Sequence, residues 1–110
     1  HITNVAVRKN HRRQGIGEFL LISVIDLALE LKARIFTLEV RASNLAAQDL
    51  YHKYGFRQVG IRQGYYTDDK ENALVMATED ITSATFQKRL NRLKKVHSRR
   101  WGIASYHIAR

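Results

Sequence analysis

Cysteine is absent from this chain of 110 residues. Its absence excludes disulfides, catalysis by a thiolate and zinc sites built on cysteine. Long apolar runs are also absent, because no segment reaches the ~18 uninterrupted apolar residues of a membrane helix, and no signal-peptide pattern is present. The five histidines form no His-x-His or His-x-x-x-His pair, so their spacing predicts no metal site. We therefore expect a cytoplasmic protein without a membrane partner.

Acidic residues are missing from the C-terminal part of the chain. Residues 1–81 contain 11 Lys/Arg and 10 Asp/Glu, whereas residues 82–110 contain 8 Lys/Arg and no acid. The formal net charge of +9 is therefore concentrated in the tail. We predict one domain over residues 1–81 and a basic amphipathic helical tail over residues 82–110. The chain begins at His1, inside a strand-like run and without an initiator methionine, so we expect its natural N-terminal part to be missing.

A glycine loop between a predicted strand and a predicted helix is the feature that says most about function. The alternating run at residues 2–7 is followed by Arg12-Arg13-Gln14-Gly15-Ile16-Gly17, and residues 18–32 have helical length and composition. Two glycines let the backbone curl so that several N–H groups face one point. The helix adds unpaired N–H groups and the positive end of its dipole. The loop therefore predicts a phosphate or pyrophosphate site.

The segment after this helix predicts a second strand, at residues 35–40. Alternation places Glu39 on one face and Leu38 and Val40 on the other. Because strand, helix and strand follow one another, we expect a right-handed crossover and a strand parallel to residues 2–7. Glu39 is then an acid on a strand covered on both faces.

The remaining elements close the sheet. Ser43 or Asn44 can cap a helix at residues 45–54, and Gly55 supplies a left-handed stop. Residues 56–66 and 73–78 read as the two strands of an antiparallel hairpin. The predicted class is α/β, with a mixed sheet of the α+β kind.

Four motifs together carry a family resemblance. The order and spacing resemble the GNAT family of acetyl-CoA-dependent N-acetyltransferases, over about residues 2–79. The motifs are Val5-Ala6-Val7, Arg12-x-x-Gly15-x-Gly17, Leu38-Glu39-Val40-Arg41-x-x-Asn44 and Leu50-Tyr51-x-x-x-Gly55-Phe56. The run at residues 38–44 and the later Tyr65-Tyr66 are typical of the RimI branch, the ribosomal-protein-alanine N-acetyltransferases. The resemblance implies the GNAT acyl-CoA N-acyltransferase fold, of which this chain holds the C-terminal portion and a basic C-terminal helix.

The resemblance implies acetyl-CoA as the acetyl donor, and it assigns the contacts with this cofactor to particular residues. Arg12 opens the family's glycine motif, and Asn44 contacts the cofactor near the head of its helix. The first strand bonds the pantetheine arm through main-chain groups of Val5, Ala6 and Val7. The pyrophosphate lies against backbone N–H groups of Arg13, Gln14, Gly15, Ile16, Gly17 and Glu18. Basic side chains of the loop either meet the 3′-phosphate of CoA or are solvated, namely Arg8, Lys9, His11, Arg12 and Arg13.

The resemblance also implies two catalytic residues. Glu39 is the base that takes a proton from the acceptor amine, directly or through a water, because an amine attacks only when neutral. The alternative is a structural acid paired with Arg41 or Arg34. Tyr51 is the acid that protonates the departing CoA thiolate; the alternative is a helix aromatic packed in the core.

Two features leave alternatives open about the partner. Tyr65 and Tyr66 resemble the aromatic pair beside the branch's peptide groove, or they are plain strand aromatics. The tail is either docked on the domain through Phe86, Leu90 and Leu93, or it contacts RNA or the ribosome; a membrane surface is less favoured because the apolar face is short.

The resemblance implies N-acetyl transfer to the N-terminal α-amine of a protein, with a ribosomal protein as the expected acceptor. One alternative is a GNAT enzyme that acetylates another amine, of a small molecule or a lysine side chain. The other is a ribosome- or RNA-binding module on a catalytically idle GNAT scaffold.

Overall fold

Three helices and three strands make up the part of the chain that the structure describes. The computed structural model describes residues 15–101, except for the side chains of Ile16 and Trp101. The predicted strand at residues 2–7, and with it the expected parallel pairing, lies outside the described residues. In chain order the elements are α1 (Ile16–Glu30), β1 (Thr37–Arg41), α2 (Leu45–Lys53), β2 (Arg57–Arg62), β3 (Ala73–Ala77) and α3 (Ala84–Trp101).

The three described strands form one sheet in the order β1-β3-β2, and both pairings are antiparallel. The predicted hairpin of β2 and β3 is confirmed. Its first strand ends at Arg62, so the prediction that it runs to residue 66 is wrong. The chain turns at Gly64, whose φ of 58° favours glycine and whose N–H donates to Asn72 Oδ1 at 3.0 Å. Tyr65 and Tyr66 therefore lie in the loop between the strands, and they are not strand aromatics.

The alternation predicted for β1 is confirmed, although the strand begins at Thr37 and not at residue 35. Leu38 and Val40 are buried in the core, whereas Glu39 lies on the opposite face. Leu38 is aligned with Met76 of β3, which is also buried. One face of the sheet is thus closed by apolar side chains, and the other presents Glu39.

Both ends of α2 follow from local chemistry. The Asn44 side chain accepts a hydrogen bond from the Ala47 N–H at 3.2 Å, so Asn44 is the cap. Gly55 ends the helix with a φ of 93°, and the Phe56 N–H donates back to the Tyr51 carbonyl at 2.9 Å. A Cβ at Gly55 would lie 2.5 Å from Nη1 of Arg89, but that flexible side chain can move, so the positive φ is what requires glycine here.

Helix α3 is docked on the rest of the chain. Phe86, Leu90 and Leu93 are buried and belong to the same core cluster as residues of α1, β1 and α2. The docking predicted through these three residues is confirmed. The division of the chain at residues 81 and 82 stays a prediction. Within residues 15–101, no helix is both long and apolar enough to cross a bilayer.

Candidate active site

The described part of the glycine loop opens α1. Gly15 is buried, with a φ of 77°, and it occupies the position before the first helical residue. It has no side chain that could cap the first N–H groups of α1, and Gly17 in the first turn is also buried. The first turn therefore has the form that accepts a phosphate. The other predicted cofactor residues of this region lie outside the described residues: Val5, Ala6, Val7, Arg12, Arg13 and Gln14.

Glu18 is an acid in this first turn, where its charge would repel a phosphate. Its carboxylate is turned towards the end of α2, where it lies 3.2 Å from Lys53 Nζ and accepts a hydrogen bond from the Tyr54 hydroxyl. The ion pair neutralises the carboxylate, so the positive end of the helix dipole is not cancelled by it. The backbone N–H of Glu18 therefore remains for the predicted pyrophosphate contact, whereas its side chain is used elsewhere.

The carboxylate of Glu39 is held by one oxygen only. Its side chain is 11% exposed, and Oε2 lies 3.1 Å from Nε of Arg62. Oε1 is buried and accepts no hydrogen bond from any described residue. A buried, unsatisfied carboxylate oxygen is costly, and such atoms are typical of sites with a chemical role. Oε1 is therefore the carboxylate oxygen whose hydrogen-bonding capacity no described residue uses.

Arg62 was not found by sequence reasoning, and the alternative that paired Glu39 with Arg41 or Arg34 is wrong. Arg34 is bound to Asp80 at 2.7 Å. Arg41 is taken up by the loop after β2, where it contacts three carboxylates at 2.9–3.1 Å, those of Asp68, Asp69 and Glu71. Arg62 is two strands away from Glu39 in the sheet, so only the strand pairing could have identified it.

The structure brings the two loop tyrosines to the Glu39 face. Their rings meet edge to face with centroids 5.2 Å apart. Cζ of Arg41 lies 3.9 Å from the ring centroid of Tyr66, and that of Arg62 lies 5.7 Å from the centroid of Tyr65. Burial raises the pKa of Tyr66, and the Arg41 guanidinium partly offsets the rise. Both predicted substrate residues thus lie beside arginines of the same sheet face.

Tyr51 is placed differently from Glu39. It is 3% exposed and belongs to the apolar core, with its ring centroid 5.7 Å from that of Phe56. The packing agrees with the alternative of a core aromatic, and it also leaves a buried phenol of the kind that the catalytic role requires. Its role as an acid stays a prediction.

Comparison with known proteins adds the family to this geometry. The model of the acetyltransferase (GNAT) family matches residues 1–56, which is half of the chain. This chain belongs to the GNAT acetyltransferase family. The match includes the glycine loop, β1 with Glu39, and α2 with Tyr51, but not α3.

Individual relatives of the GNAT family point to one branch. A Bacillus subtilis (strain 168) protein, provisionally named as a ribosomal protein bS18-alanine N-acetyltransferase, is 49% identical over 75 residues; these cover 68% of this chain and 50% of the relative. The chain thus spans about half the length of the curated relatives that it matches.

Solved structures agree with this placement in the GNAT family. The crystal structure of the ribosomal-protein-S18-alanine N-acetyltransferase from Escherichia coli matches with a TM-score of 0.61 and 41% identity, covering 74% of this chain and 56% of that one. A GNAT family acetyltransferase from Elizabethkingia anophelis with acetyl-CoA bound matches with a TM-score of 0.60 and 26% identity, covering 70% of this chain and 60% of that one.

Proposed function

We propose that the complete protein carrying this chain transfers the acetyl group of acetyl-CoA to the N-terminal α-amine of a protein, and that the acceptor is a ribosomal protein. The observation that carries this proposal is the Glu39 carboxylate, which is buried, fixed through one oxygen and open at the other. It lies on the strand that the family model matches. The relatives named for acetylation of a ribosomal protein support the acceptor.

Glu39 acts as the base. An α-amine has a pKa near ~8, so at neutral pH most of it is protonated and unable to attack. Oε1 takes that proton, directly or through a water, and the nitrogen lone pair that this releases then bonds to the acetyl carbon. Arg62 keeps Oε2 in place, so the carboxylate presents Oε1 in one orientation. This geometry supports different roles for the two oxygens: Oε2 anchors the side chain, and Oε1 accepts the proton.

Tyr51 acts as the acid. Acetyl-CoA, when bound, supplies an acetyl group on a thioester sulfur that must leave as a thiolate. The phenol of Tyr51 donates a proton to that sulfur as the carbon–sulfur bond breaks. Tyr51 is 3% exposed, and this burial keeps most of its side chain away from bulk water.

The proposed contacts with acetyl-CoA are made by the residues that the sequence predicts for them. The first turn of α1, opened by Gly15 and relieved of the Glu18 charge by Lys53, holds the pyrophosphate by backbone N–H groups. Asn44 contacts the cofactor at the head of α2. Tyr65 and Tyr66 contact the acceptor peptide beside Glu39.

Thiol release from acetyl-CoA tests the proposal. The substrate is a peptide with the N-terminal sequence of a ribosomal protein, and the control is the same peptide with its amine already acetylated and a lysine added. We expect release with the first peptide only. Release with the blocked peptide would instead identify a lysine acetyltransferase, release with a small amine alone an enzyme for small molecules, and no release with any of them an idle scaffold.

RNA is a second proposed partner, because some cations of α3 form ion pairs within the protein and others do not. Lys94 is bound to Asp26 at 2.7 Å. Four exposed cations make no ion pair with any described residue, and they line a groove of about 340 Å³ along α3: Lys88, Arg92, Lys95 and Arg99. Their spacing places them on one helix face over about 16 Å. A row of unpaired cations on a rigid helix fits a polyphosphate backbone.

Salt dependence tests the RNA contact. Changing all four exposed cations to Gln should reduce the slope of log affinity against log salt for a short single-stranded RNA by about 3. Changing the paired Lys94 to Gln is the matched control and should change the slope by less than about 1. Equal loss in both variants would contradict the assignment. Loss of binding to anionic vesicles, with RNA binding unchanged, would identify a membrane surface instead.

A further inference from the structure

Helix α3 touches the glycine loop through a buried histidine. His97 is 2% exposed, and its Nε2 lies 3.1 Å from the carbonyl oxygen of Gly15, 82 positions earlier in the chain. Its ring stacks on that of Phe19, with centroids 6.5 Å apart and planes inclined by 15°. A carbonyl oxygen only accepts, so Nε2 carries the proton and donates it.

The contact fixes the direction of an N–H group in the loop. The Gly15 carbonyl also accepts from the Phe19 N–H at 3.1 Å, so both of its lone pairs are engaged. The peptide unit between Gly15 and Ile16 is planar and trans, and its carbonyl and N–H therefore point in opposite directions. A donor that holds the carbonyl also aims the Ile16 N–H, which is one of the unpaired groups at the head of α1.

We propose that His97 is a positioning residue for acetyl-CoA: it holds the Gly15 carbonyl so that the Ile16 N–H faces the pyrophosphate. The inference rests on the proposed function, since it requires a phosphate at the head of α1. It assigns a role to α3, which the family model does not cover. The basic tail thereby becomes part of the donor site, in addition to being a docked helix.

A simpler reading is that His97 only docks α3 on α1. The chain provides a matched contact that separates the two readings. Lys94 of α3 binds Asp26 of α1 at 2.7 Å, about 16 Å along α1 from Gly15. Removing Lys94 weakens the same docking without touching the loop.

The test compares three variants of the complete protein in the acetyl-transfer assay. His97→Phe keeps the ring and removes the donor, and it should raise the KM for acetyl-CoA about tenfold while kcat at saturating acetyl-CoA stays unchanged. His97→Gln supplies an amide N–H at a similar reach and should restore most of the affinity. Lys94→Met should leave the KM for acetyl-CoA unchanged.

A second measurement requires no acetyl-CoA. Backbone hydrogen exchange of residues 15–22 should be faster in His97→Phe than in the wild type, and His97→Gln should slow it again. The inference is overturned if His97→Phe changes neither KM nor exchange, or if Lys94→Met raises KM equally. If the wild type neither binds acetyl-CoA nor releases thiol, the proposed function fails first and this inference with it. An active wild type with an unaffected His97→Phe variant refutes only the role of His97.

Discussion

Two arginine–carboxylate sites lie close together in this molecule and differ in how completely they are satisfied. Around Arg41, every acid has a partner, and two of the three side chains lie largely in water: Asp68 is 68% exposed and Asp69 52%, whereas Glu71 is 20% exposed. Among the residues that the structure describes, Glu39 has one partner, Arg62, and its second oxygen is buried without one. The loop site contains Asp68, Asp69 and Glu71.

The difference distinguishes a structural ion cluster from the residue that we propose as the base. Exposed ion pairs contribute little to stability individually, but a cluster around one guanidinium fixes the shape of a loop. A buried carboxylate with an open oxygen costs free energy, which a protein retains where the oxygen is used. The Arg41 cluster therefore orders the loop that carries Tyr65 and Tyr66, whereas the unsatisfied oxygen of Glu39 supports its proposed role as the base.

Replacing Glu39 and replacing an acid of the Arg41 cluster should give the largest contrast, in the rate of acetyl transfer. Glu39→Gln keeps the shape of the side chain and removes the base, so kcat/KM for acetyl transfer should fall by about 10²- to 10⁴-fold. Asp69→Asn, in the structural cluster, should change it by about twofold or less. Thiol release measures both. If Glu39→Gln were as active as Asp69→Asn, the assignment of Glu39 as base would be wrong.

Replacing the two arginines should give a smaller contrast, which appears in kcat. Arg62→Met leaves both oxygens of the Glu39 carboxylate without a partner, so kcat should fall by about tenfold and the thermal midpoint should fall as well. Arg41→Met leaves the loop acids facing one another, so the thermal midpoint should fall and kcat should change less. The thiol assay distinguishes the two variants, and circular dichroism measures both thermal midpoints. A fall in kcat for Arg41→Met alone would reverse the comparison.

Acidification should give the smallest effect. Hydrogen bonds from Arg41 lower the pKa of Asp68, and the hydrogen bonds of Ser43 lower that of Glu71 more than Arg41 does. A lowered folded-state pKa means that the stabilisation is present above the ordinary values of 3.8 and 4.5 and is lost as the pH falls through the lowered ones.

The acid dependence can be assigned to Arg41 by unfolding the wild type and Arg41→Met in urea at neutral pH and below pH 3.8. The variant should lose less stability on acidification, and the part that comes from Ser43 should persist. Identical losses in both proteins would show that the cluster contributes nothing through Arg41.

Features governed by neighbouring residues were predictable from the sequence. The alternation of β1, the glycine stop after α2 and the apolar stripe of α3 each depend on spacing within one element, and the structure agrees with all three. The end of β2 was not predictable in the same way. Tyr65 and Tyr66 have strand propensity, but Gly64 and its bond to Asn72 turned the chain before them.

The partners of the site were decided by the tertiary structure alone. By sequence, Arg41 is the nearest cation to Glu39 on the same strand face. Both Arg41 and Arg62 align with Ala73 of the central strand, one from each side. Arg41 pairs with the acids of the loop between β2 and β3, and Arg62 extends across β3 to pair with Glu39.

The sequence by itself determined the order of the elements, the family and the glycines that open α1, because these depend on residue types at short, fixed distances. The tertiary structure decided that Arg62 is the arginine that pairs with Glu39 and that His97 contacts Gly15. Strand register and helix docking bring together residues that are far apart in the chain. A local sequence pattern therefore does not encode which of several arginines pairs with Glu39, or which donor binds the Gly15 carbonyl.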